Sequence, residues 1–121
     1  MLTKKTIMAA TMAALLTTPA MAQSSMDHSA HAEGPMAAYM ATMDAMMESM
    51  NGMTSSGSAD ADFLLMMIPH HQSAIDMAKV ELEQGRDQET QDMAEKIIAA
   101  QEQEIAEMKA MLERLGVDAP E

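Results

Sequence analysis

The side chains of this 121-residue chain best suited to chemistry are its 18 methionines and 4 histidines, and eleven of the methionines and all four histidines fall in three groups. The first is Met26-Asp27-His28-Ser29-Ala30-His31, which places a thioether, a carboxylate and two imidazoles within six residues. The second is Met36, Met40, Met43, Met47 and Met50, spaced 4, 3, 4, 3, with Met46 and Met53 widening the same helical face. The third is Met66-Met67-Ile68-Pro69-His70-His71, followed by Met77. Thioethers are soft donors that prefer Cu(I) and bind without first losing a proton. Imidazole suits Cu(II), Zn and Ni. The pattern therefore points to copper, with Cu(I) preferred overall and Cu(II) a further option at the Met26–His31 arm.

Each group has an ordinary alternative. A Met stripe at helical spacing can be core packing or an adhesive surface, because Met is apolar and a fair helix former. Against packing alone, the stretch 36–50 contains no Leu, Ile, Val or Phe, residues that pack with better-defined rotamers. The arm alone is a weak motif and could be a solvated tail. His70 and His71 point about 100° apart on a helix, so one ion does not easily take both. Each has Met neighbours at same-face spacing. Met66 and Met67 precede His70 by four and three residues, and Met67 precedes His71 by four. The alternative for His71 is a metal-free hydrogen bond to Gln101 or Glu104 across a helix pair.

These groups must be held by helices. Lys4 and Lys5, the mostly apolar run 6–18, Pro19 and Ala20-Met21-Ala22 follow the plan of a secretory signal peptide over residues 1–22. A membrane span would need about 20 apolar residues. A periplasmic or secreted chain starting at Gln23 is expected, keeping 14 of the 18 Met and 19 acidic residues against 5 basic ones. Residues 23–34 read as a disordered arm and 35–52 as a Met-rich helix opened by Pro35. Residues 53–59 read as a Ser/Gly linker, and 60–116 as a helical hairpin with a turn at Gly85. Asp60 and Asp87 are the expected N-caps, Pro69 should kink the first hairpin helix, and the tail after Gly116 should fray. With the turn near residue 86, facing positions sum to about 172, placing His70 and His71 opposite Gln101. Met93, Ile97, Ile98, Ile105, Met108, Met111, Leu112 and Leu115 form the apolar stripe of the last helix. The expected fold is all-α, with three helices. The Met helix either covers the hairpin weakly, or two hairpins pair into a homodimeric four-helix bundle.

Asp60-x-x-Phe63-x-x-x-Met67-Ile68-Pro69-His70-His71-x-x-Ala74-Ile75-x-Met77-Ala78 resembles the signature of the exported domain of unknown function 305. Gln101-x-x-Glu104-Ile105-x-x-Met108 resembles its second motif, so the likeness covers residues 60–115. The resemblance implies a ferritin-like antiparallel helical bundle and an association with copper binding and tolerance. It carries the family's His and Met positions onto Met67, His70, His71, Met77 and Met108. Many relatives repeat the His-His helix, which occurs once here. Many also carry an aromatic where Met111 stands.

Several function classes are excluded by composition. A net charge of −12 argues against binding nucleic acid, whose phosphates need a basic patch. The absence of Cys rules out disulfides, iron–sulfur clusters and thiol nucleophiles. A ferritin-like di-iron oxidase needs Glu-x-x-His pairs, and no Glu stands three residues before any His. The acidic residues of the last helix mostly read as its solvent side. The expected role is thus non-enzymatic: copper sequestration, tolerance or transfer between donor and acceptor proteins. A metal-free Met-rich adaptor is the alternative.

Overall fold

The computed structural model describes residues 33–120. The signal-like segment and the arm residues Met26, His28 and His31 lie outside the described residues. Three helices follow in order: α1 (Pro35–Asn51), α2 (Ala59–Gln84) and α3 (Gln88–Leu115). Among the described residues there is no strand, and no helix is long and apolar enough to cross a membrane.

Local chemistry sets the boundaries. Pro35 opens α1 after Gly34, which takes a positive φ of 62°. The N-cap of α2 is Ser58 rather than the expected Asp60; the Ser58 hydroxyl accepts the Ala61 N–H. Asp60 falls inside the first turn, where its charge suits the helix dipole. Asp62 serves the loop instead, accepting from the Ser55 hydroxyl at 2.6 Å and from the Ser56 N–H at 2.7 Å. Those bonds hold its carboxyl below the usual aspartate range. The Ser/Gly segment is thereby tied to α2, where the sequence suggested a loose linker.

The helix assignment of α2 continues through buried Pro69. It stops at Gly85, whose N–H is donated to the Glu81 carbonyl at 2.7 Å. A Cβ at Gly85 would lie 2.6 Å from that carbonyl oxygen, so the turn needs glycine. Asp87 caps α3, as the sequence suggested, by accepting the Thr90 N–H at 2.8 Å. α3 ends with Gly116 in the left-handed region, and Val117 donates back to the Leu112 carbonyl at 3.0 Å. Val117 then packs on the core, so the start of the tail is anchored, not frayed.

The principal core lies between α2 and α3. Ala61, Leu64 and Ile68 pack against Met108 and Leu112, with Leu65, Met67 and Ile105 around them. Ile75, Ala78 and Ala94 are buried further along the pair. α1 buries no residue fully. It runs antiparallel to α2, donating from the Tyr39 hydroxyl to Glu81 at 2.9 Å and accepting from the Ser73 hydroxyl at the Thr42 carbonyl at 3.4 Å. α1 and α3 each pack on α2 and do not pack on one another. The apolar stripe of α3 is wider than its contact with α2. Of the eight residues expected there, Met108 and Leu112 are buried, whereas Met93, Ile97, Met111 and Leu115 are exposed.

Candidate metal site

The loop 52–58 folds the end of α1 back onto the start of α2. Met50, Met53 and Met66 thereby line one cavity of about 200 Å³, together with Asp62 and Leu65. Methionines from α1, the loop and α2 thus share the lining of one cavity with one aspartate. Met66 also lies one helical turn before His70, on the same face of α2. His70 is exposed. This neighbourhood therefore offers soft sulfur donors first and an imidazole within a turn.

The His71 surroundings are different. Its Nδ1 meets the Met67 carbonyl oxygen at 2.9 Å, and its Nε2 meets Glu104 Oε2 at 2.7 Å. Both ring nitrogens are engaged, and of the two expected partners on α3 it is Glu104 that His71 meets. A ligand role for His71 would require Glu104 to release it. The His70 and His71 ring centroids are 6.3 Å apart and tilted by 58°.

His71 faces Glu104 rather than Gln101, so the sequence register is off by nearly one turn. Side chains on a helix lean toward its N-terminus. In an antiparallel pair the two leans converge, so contacting residues have a higher sum than backbones at one level. Half-buried Met67 packs against the core cluster that contains buried Met108. These two thioethers lie one turn from His71 and pack as apolar side chains.

The remaining expected residues are dispersed. Met77 is two turns from His70, about 10.5 Å along the axis. It lines a separate groove with Tyr39, Met93 and Ile97. Met36, Met43 and Met47 are exposed along α1, and Met40 is half-buried. Among the described residues no three His, Asp or Glu side chains converge to hold a metal. Any metal reading here rests on sulfur. Sequence reasoning placed Met53 on the face of the Met helix, which ends at Asn51, and did not bring it or Asp62 together with Met66. The signal was available: a short linker forces α1 antiparallel to α2 and brings residues just after Met50 beside the start of α2.

Residues 3–112 match the family model described as a domain of unknown function (DUF305). The chain belongs to this family. The match takes in α1 as well as the hairpin, so the Met helix of this DUF305 chain falls within the matched region. A comparison with curated proteins finds no significant match.

Proposed function

We propose that this DUF305 chain is an exported copper-binding protein, periplasmic or secreted, that takes Cu(I) in preference to Zn(II). It acts by holding the ion for sequestration, tolerance or transfer, not by catalysis. The observation that carries this reading is the gathering of Met50, Met53 and Met66 around one cavity beside Asp62. A thioether set favours Cu(I) and discriminates against Zn(II), whose usual ligands are thiolate, imidazole and carboxylate. His70 supplies an imidazole one turn from Met66. Met67, Met108 and His71 form a second, closed group that would accept copper only after the His71–Glu104 bond opens. The export reading rests on residues 1–22.

A metal-free Met-rich adaptor is the second reading, favoured by the two engaged nitrogens of His71 and the buried position of Met108. Cu(I) titration against a chromogenic chelator in reducing buffer separates the two, followed by an equal concentration of Zn(II). The expected result is removal of Cu(I) from the chelator and no displacement by Zn(II). Cu(I) left entirely with the chelator would establish the adaptor reading. Displacement by Zn(II) would overturn the soft-donor assignment.

A further inference from the structure

Two grooves run on opposite sides of α2. One is lined by Tyr39, Ala74, Met77, Met93 and Ile97. The other is lined by Thr42, Ser49, Gln72, Asp76 and Lys109. Helical spacing extends each groove into a face of the three-helix layer. On the first side α1 presents Met36, Met43 and Met47. The central helix presents Phe63 and Met66 in line with Met77. α3 continues the surface with Met111 and Leu115, in line with Met93 and Ile97. Every large apolar side chain that is substantially exposed among the described residues lies on this one face. The opposite face carries Gln72, Asp76 and Lys79 of α2, with Glu95 and Glu102 of α3.

Such segregation calls for a cover. Their exposures run from 36% to 61%. At about 150–250 Å² for a whole large side chain, the face amounts to roughly 700–1,100 Å². The largest apolar patch on a monomer is typically about 300–600 Å², and a stable interface takes about 800 Å² from each partner. Helical domains bury their stripes between two layers, and the described residues supply one.

We propose that a second copy of the chain covers this face, giving a two-fold dimer of three-helix layers. A two-fold contact is self-complementary, and flexible Met side chains adapt readily to the same patch rotated about the axis. The two carboxylates set among these side chains are already engaged, Glu81 by Tyr39 and Glu104 by His71. His70 lies on the same line of α2 between Phe63 and Met77, and the exposed carboxylates of Asp60, Glu89 and Glu107 stand one turn from Phe63, Met93 and Met111, at the rim of the face. The proposal is independent of copper, and its test is run with a chelator present.

Sedimentation equilibrium of the chain as isolated from expressing cells, over roughly 1–200 μM, should give twice the chain mass. Phe63→Glu and Met93→Glu change residues that are 61% and 56% exposed, so each should keep the far-UV helical signal. Each should weaken the dimer at least about tenfold. Lys79→Glu, on the opposite face, should leave it unchanged. Methyl-labelled Met spectra supply a readout that needs no variant: on dilution Met36, Met43, Met77 and Met93 should shift together while buried Met108 does not. A wild-type monomer over the whole range would overturn the proposal. So would a dimer unmoved by both face variants, or a face that photo-crosslinks to a different envelope protein while the chain itself stays monomeric.

Discussion

The contact of α2 with α3 and its contact with α1 are built from different materials. The first contains Leu64, Ile68, Ile75 and Leu112, branched side chains with few rotamers, and it holds the core. The second contains Met, Ala and Thr, two side-chain hydrogen bonds and no fully buried α1 residue. Branched residues specify one packing; thioethers leave room to move and keep a soft lone pair within reach of an ion. On the proposed copper reading, the hairpin is the scaffold and the α1–α2 seam the surface that takes the ion.

If that division is right, the largest stability losses belong to the hairpin. Leu112→Ala should cost about 2–5 kcal/mol in chemical denaturation, because Leu112 is fully buried in the core. Met47→Ala on α1 should stay within about 0.5 kcal/mol. Comparable losses at the two positions would erase the distinction. Gly85→Ala comes next, at about 1–3 kcal/mol, since the new Cβ collides with the Glu81 carbonyl oxygen. It should also disturb the Tyr39–Glu81 bond, so loss of α1 docking in that variant sharpens the comparison by showing that the seam depends on the turn.

Smaller effects should separate the two regions by pH. The hydrogen bond to Glu81, then burial and the neighbouring negative charge, raise the Tyr39 pKa. A raised value in the fold means a contact complete below about pH 10 and lost as pH rises through the folded pKa. α1 should therefore leave the hairpin in an alkaline step seen by Tyr39 absorbance and amide exchange, and Tyr39→Phe should abolish that step. One alkaline transition shared by all three helices would contradict it. Asp62 and Asp87 behave with the opposite sign. Hydrogen bonds from Ser55 and Ser56, and from Thr90, hold them below the ordinary range. Their contribution is complete above about pH 4 and fades as pH falls through the lowered values. Asp62→Asn should accordingly reduce the acid sensitivity of loop 52–58, the smallest effect, measured by exchange of the Ser56 amide.

The helices were legible in the sequence because their punctuation is strong: Pro35, Gly85, Asp87 and Gly116 each act within a turn of the chain. The His71–Glu104 pairing was legible only as one of two options, because a turn position fixes backbone levels and not the lean of side chains. That the hairpin leaves an apolar stripe uncovered was legible, but not that Met93, Ile97, Met111 and Leu115 are the residues left exposed. Periodicity marks a residue as apolar-facing without saying whether anything covers that face. The Met50–Met53–Met66 cavity was half legible, since Met50 and Met66 stood out by spacing and Met53 lay just beyond the helix stop.

Cu(I) competition with a chromogenic chelator, comparing the wild-type chain with the triple variant Met50→Leu, Met53→Leu and Met66→Leu, tests the copper reading most directly. Leu and Met have similar volumes, so each exchange should cost under about 1.5 kcal/mol and leave the helices formed. The sulfur donors alone are removed. Loss of the tightest Cu(I) equivalent, with the thermal midpoint and helical signal nearly unchanged, is the predicted result. Undiminished Cu(I) capacity and affinity in the triple variant would contradict it and leave these three methionines as packing.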